Sequence, residues 1–81
     1  MEKSIIVITG GTSGLGLELV KQSIKKGFFV CNISRNKEKM NELGKLFTSN
    51  YKGFVGDISN EDFVVNTVKE ISTIRKYRNI N

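Results

Sequence analysis

The stretch Thr9-Gly10-Gly11-Thr12-Ser13-Gly14-Leu15-Gly16 decides how this chain folds. Just before it, Ser4-Ile5-Ile6-Val7-Ile8-Thr9 is an almost unbroken β-branched run, the pattern of a central parallel strand buried on both faces. Just after it, from Leu15 onward, Leu17, Val20 and Ile24 recur at helical spacing. Lys21, Lys25 and Lys26 take the opposite face, and Gly27 supplies a C-terminal stop. Glycines between such a strand and such a helix have distinct physical uses. Gly10 permits a sharp turn, Gly14 lets the backbone approach a phosphate with no intervening Cβ, and Gly16 lets the helix pack closely on the strand. The helix N-terminus beyond them offers free N–H groups and partial positive charge, which suits an anion.

Outward from this turn the same alternation continues. Phe28-Phe29-Val30-Cys31-Asn32-Ile33-Ser34 is rich in aromatic and β-branched residues and reads as a second strand. Asn36 is a suitable N-cap for a second helix with Met40, Leu43 and Phe47 on one stripe, although Gly44 inside it costs up to about 1 kcal/mol relative to Ala. Tyr51 to Val55 forms a third strand, and Gly56-Asp57-Ile58 leads on to a third helix. Ser59 with Asp62 three residues later resembles a capping box, and Phe63 (or Val64), Val68 and Ile71 form the inward stripe. Strand–helix alternation with short connections calls for right-handed crossovers and a parallel sheet flanked by helices. The expected architecture is a partial Rossmann-type α/β fold, βαβαβα in three α/β/α layers with sheet order 3-2-1. That is half of a dinucleotide-binding fold, spanning residues 1–81.

Composition narrows the function. At 81 residues the chain holds one small domain with a thin core. Apolar residues at 38% and charged residues at 26% are globular rather than disordered proportions. The longest purely apolar run, Ile5 to Ile8, is far short of the roughly 20 residues of a membrane span, and no signal-peptide layout precedes it, so a cytoplasmic location is expected. A single cysteine, Cys31, cannot form an internal disulfide, and the lack of histidine removes zinc sites and His-based triads. The net charge of +5 is concentrated in residues 21–52, which hold eight bases and two acids. Those bases are scattered over two helices and their flanks, with no helix-turn-helix, zinc-finger or RNP pattern beside them. They read as a solvated surface, not a nucleic-acid site.

The glycine spacing excludes two other phosphate loops. A P-loop needs Lys and Ser/Thr after its last glycine, whereas Leu17 and Glu18 follow Gly16. The G-x-G-x-x-G spacing fails because Leu19 stands where the third glycine is required. Thr9, Gly10, Gly14 and Gly16 instead match T-G-x-x-x-G-x-G, and the whole chain resembles the N-terminal part of the short-chain dehydrogenase/reductase family. The non-extended subgroup fits, since the extended one would place a glycine at Ser13. The resemblance implies an NAD(P)-dependent oxidoreductase that transfers hydride between nicotinamide and a carbonyl or alcohol substrate. It makes Gly10, Thr12, Ser13, Gly14, Leu15 and Gly16 candidates for holding the cofactor. Asp57-Ile58-Ser59 matches the family's Asp-Val/Ile-Ser/Thr motif after the third strand, implying that Asp57 accepts a hydrogen bond from the adenine amino group while the Ile58 backbone lies beside the ring.

The end of the second strand decides between the two cofactors. A carboxylate there binds the ribose 2′-hydroxyl of NAD and repels a 2′-phosphate. Ser34 occupies that place and Arg35, which can pair bidentately with phosphate, follows. NADP is therefore expected over NAD, with Ser34 and Arg35 as 2′-phosphate ligands and Ser13 as a candidate third.

Catalytic residues are not assigned. The resemblance implies a Tyr-x-x-x-Lys pair with a serine and an asparagine, in which a lysine cation lowers the tyrosine pKa for proton transfer. Here Val55 stands four residues after Tyr51 and Asn81 four after Tyr77. Tyr51 reads as strand packing, and Tyr77 as a helix-end or tail residue. Residues 77–81 resemble the family's lead-in to a fourth strand, which would pair with the first. Without that strand, Ile5 to Thr9 is an exposed apolar edge, and a marginal chain that self-associates is expected. The 81 residues alone are expected to be inactive. The alternatives are a non-catalytic dinucleotide-binding module or sensor completed by a partner chain, or a truncated fragment.

Overall fold

The computed structural model describes residues 4–79, with side chains as far as Ile74. Six elements follow one another: β1 (Ile5–Thr9), α1 (Gly14–Lys25), β2 (Phe29–Ser34), α2 (Lys37–Leu46), β3 (Tyr51–Val55) and α3 (Glu61–Asn79). The three strands pair in parallel in the order β1-β2-β3, with Ile8 opposite Asn32 and Asn32 opposite Gly53. This is the 3-2-1 sheet of the expected partial Rossmann-type fold. Local signals explain the boundaries. Gly27 ends α1 with φ 91°, a left-handed conformation that glycine adopts without a Cβ penalty. The Asn36 side chain accepts from the Lys39 N–H at 3.0 Å, which caps α2 as its sequence indicates.

Alternation along β2 gives the sheet two packed faces. On one, Cys31 and Ile33 join Phe54 of β3, and Phe63, Ile71 and Ile74 of α3 close over them. On the other, Val30 and Asn32 lie beneath α1 and α2, which bury Val20, Met40 and Leu43. Asn32 is a fully buried polar residue in the middle of the sheet.

One local expectation is met and two change. The exposed apolar edge expected of Ile5 to Thr9 is present, with Val7 49% exposed and β2 the buried middle strand. The Ser4 carbonyl accepts from Phe29 N–H at 2.9 Å and Gly10 N–H donates to the Ile33 carbonyl at 2.8 Å, so the even-numbered residues of β1 face β2. The backbone groups of Ile5, Val7 and Thr9 then point to the other edge, where no described strand pairs with them. In α3 the buried position is Thr67, not Val68, because the stripe that meets the sheet runs through Phe63, Thr67, Ile71 and Ile74. Val68 faces an apolar groove of about 470 Å³ beside Val7. Finally, Ser59 does not cap α3. Asn60 does, its side chain accepting from Phe63 N–H at 2.9 Å, because Ser59 is held by Asp57.

Tyr51 packs in its strand against Phe47, with ring centroids 5.3 Å apart. The α3 backbone is helical through Asn79, while the Tyr77 side chain, Ile80 and Asn81 lie outside the described residues. No described helix is long and apolar enough to cross a membrane, and no described cluster of acidic and cysteine side chains could hold a metal ion.

Candidate functional site

The carboxyl ends of all three strands open at one side of the sheet. There the turn 9–16 leaves β1 and rises into α1. Gly10 and Gly14 have φ of 72° and 56°, the left-handed region that L side chains adopt at a cost. Gly16 is required for a different reason: a Cβ on it would collide with the Gly10 carbonyl oxygen. Its close contact is with the turn itself, a refinement of the expected helix-on-strand packing. Ser13 takes the N-cap position in extended conformation but makes no capping bond with its side chain. The first bond of the turn into α1 is donated by Leu17 N–H to the Ser13 carbonyl at 3.2 Å. The N–H groups of Gly14, Leu15 and Gly16 precede that bond and lie outside the helical ladder. Positive dipole and open donors together make a cradle suited to a phosphate.

The second wall of the site is built by the ends of β2 and β3. An open cleft of about 670 Å³ is lined by Gly10, Ser34, Arg35, Asp57 and Ile58, among others. Ser34 Oγ accepts from Asn36 N–H at 3.1 Å, which leaves its own proton free to donate outward. The Arg35 guanidinium lies 3.7 Å from the Asp57 carboxylate, with side chains 78% and 46% exposed. Asp57 also accepts from Ser59 N–H at 2.9 Å and from the Ser59 hydroxyl at 2.8 Å. These bonds, first the backbone one, and then the Arg35 charge hold the Asp57 carboxyl below its ordinary range. It is an ionised acceptor at neutral pH, beside a cation and a hydroxyl.

Five of the ten residues singled out in the sequence thus line one cleft: Gly10, Ser34, Arg35, Asp57 and Ile58. Thr12, Ser13, Gly14, Leu15 and Gly16 belong to the neighbouring turn, with Leu15 projecting outward at 77% exposure. Gly56 and Asn32 escape sequence reading. A Cβ on Gly56 would strike the Phe63 ring, so this glycine brings α3 against the end of β3 and sets where Asp57 emerges. Asn32 stands inside an apolar strand and joins the site only because β2 passes beneath the glycine turn. Burial pushes the Cys31 thiol and the Tyr51 hydroxyl up from their ordinary values, so neither is an activated group.

The sequence model of the family described as short chain dehydrogenase matches residues 4–80. The chain belongs to this family. Among its relatives, cis-3,4-dihydrophenanthrene-3,4-diol dehydrogenase of Alcaligenes faecalis is 35% identical over 60 residues, 74% of this chain and 22% of that protein. The 1,2-dihydroxy-1,2-dihydronaphthalene dehydrogenase of Pseudomonas putida is 34% identical over 70 residues, 82% of this chain and 27% of the relative. A crystal structure of a short chain dehydrogenase/reductase family oxidoreductase from Aeromonas hydrophila superposes with a TM-score of 0.78 at 24% identity, over 83% of this chain and 32% of that one. That likeness supports the fold. The chain spans about a quarter of the length of the curated relatives it matches. The family is one of oxidoreductases that use NAD(P).

Proposed function

We propose that this chain is the NADP(H)-holding part of a short-chain oxidoreductase of the non-extended subgroup, working in the cytoplasm. The observation that carries the reading is the composition of the cleft mouth. Ser34 and Arg35, with no carboxylate, end β2, and Asp57 faces them from the end of β3. In this reading the 2′-phosphate accepts hydrogen bonds from the Ser34 hydroxyl and the Arg35 guanidinium, with Ser13 as a third donor. Asp57 and the Ile58 backbone hold the adenine. The pyrophosphate sits on the N–H groups of Gly14, Leu15 and Gly16, where Gly10 and Thr12 shape the turn. The bound dinucleotide supplies or accepts hydride, with an alcohol or carbonyl as the other reactant.

The sequence contains no Tyr-x-x-x-Lys pair. The 81 residues by themselves are therefore expected to bind and not to turn over, with proton transfer supplied by other residues of a longer enzyme. A second reading, a non-catalytic nucleotide-binding module completed by a partner chain, is favoured by the open edge of β1, where no described strand pairs. On that edge a second copy of the chain is the expected occupant.

Calorimetric titration with NADPH and NADH tests the cofactor assignment. NADPH is expected to bind more tightly, and Arg35→Ala to weaken NADPH about 10- to 100-fold while changing NADH little, from the loss of a charge-assisted phosphate contact. Tighter binding of NADH by the unmodified chain would overturn it.

A further inference from the structure

Asn32 lies at the midpoint of β2, fully buried on the face covered by α1 and α2. A buried amide must find partners for its donors and acceptor, because each one left unmade is costly. Here all of them are found. Asn32 Oδ1 accepts from the Gly11 N–H at 3.1 Å, and Asn32 Nδ2 donates to the Gly11 carbonyl at 3.0 Å. The same Nδ2 donates to the Tyr51 hydroxyl at 3.2 Å and lies 3.6 Å from Met40 Sδ. One side chain of the sheet thus takes both backbone polar groups of one turn residue. The pair of bonds fixes the plane of the turn as well as its distance.

Gly11 is a variable position in the T-G-x-x-x-G-x-G pattern, and it is not among the glycines with positive φ. Its missing Cβ serves space: that atom would collide with Asn32 Oδ1 and Val20 Cγ2. The neighbouring Gly10 N–H bonds the Ile33 carbonyl at 2.8 Å, so two successive turn residues are tied to two successive residues of β2. The Gly10 carbonyl in turn abuts Gly16 in the first turn of α1. Contact therefore runs without a gap from Tyr51 through Asn32, Gly11, Gly10 and Gly16 to the open N–H groups of α1.

We propose that Asn32 is a positioning residue for the phosphate-binding turn, and that Gly11 is required in this chain to admit it. The proposal rests on the nucleotide-binding reading above and divides that site in two. Asn32 sets the phosphate end, whereas Ser34, Arg35 and Asp57 set the adenosine end.

Two ligands that differ by one group separate the ends. Adenosine 2′-monophosphate lacks the 5′-phosphate that adenosine 2′,5′-bisphosphate carries to the turn. In the unmodified chain the bisphosphate is expected to bind more tightly. Asn32→Ala is expected to reduce that advantage about tenfold, and the milder Tyr51→Phe, which removes one bond to Asn32 and none to Gly11, about two- to threefold. A purely structural role lowers only the folded fraction and multiplies both dissociation constants by the same factor, leaving their ratio unchanged. An unchanged ratio in both variants, or in Tyr51→Phe should Asn32→Ala not fold, overturns the positioning role and leaves the binding reading intact. Failure of the unmodified chain to bind either nucleotide overturns the binding reading itself.

Discussion

Replacing glycine by alanine at positions 16 and 44 should move stability in opposite directions, although both residues are helical. Gly44 lies in α2 with nothing within 4 Å of the place its Cβ would occupy. Alanine there adds helix propensity and removes freedom from the unfolded chain, a gain of about 0.5–1 kcal/mol. At Gly16 the same propensity gain of about 1 kcal/mol is opposed by overlap with the Gly10 carbonyl, and forcing an extra carbon into a packed site costs about 1–3 kcal/mol. The upper end of that range applies, because the obstacle is backbone and Gly10 is anchored to Ile33 at 2.8 Å. The net expectation is a loss of about 1–2 kcal/mol at position 16, a fall in Tm of roughly 5–15 °C for a domain this size. At position 44 a rise of roughly 3–6 °C is expected. Thermal and urea unfolding followed by circular dichroism read both. A Gly16→Ala variant as stable as the parent would refute the steric account of the turn, and with it the claim that Gly16 is fixed by contact and not by conformation.

Two further outcomes follow from the cleft and the open edge. The Asp57 carboxyl titrates below its unfolded value, so its stabilising contribution is present above about pH 4, the ordinary Asp range, and is lost as pH falls through the lower folded value. Asp57→Asn should flatten the acid limb of a stability-versus-pH curve measured by urea unfolding; an unaltered limb contradicts the assignment. Val7 stands on the unpaired edge of β1, and Val7→Lys is expected to shift the chain from self-associated to monomeric in size-exclusion chromatography with light scattering, whereas a parent chain that is monomeric at every concentration refutes the edge pairing.

Much of this protein is legible in one dimension because its signals are local. The β-branched run into Gly10, the helical spacing of Leu17, Val20 and Ile24, and the Asn36 cap each act within a few residues, and each appears where its sequence places it. The T-G-x-x-x-G-x-G spacing is equally local, since turn, cradle and helix start are consecutive along the chain. Ser34-Arg35 can be read as candidates from their place at the end of a strand, and Asp57-Ile58 from the resemblance of Asp57-Ile58-Ser59 to the family's motif.

The tertiary structure decides what depends on neighbours distant in sequence. In α3 the choice of Thr67 over Val68 turns on the direction from which the helix meets the sheet, and valine and threonine are both plausible at either place by size. Asn60 rather than Ser59 caps that helix because Asp57 claims the serine first. Above all, no pattern in the sequence links Gly11 to Asn32, 21 residues away. Only the crossover that lays β2 beneath the glycine turn brings an amide to both of its polar groups, turning an unremarkable asparagine and a variable glycine into one contact that shapes the site.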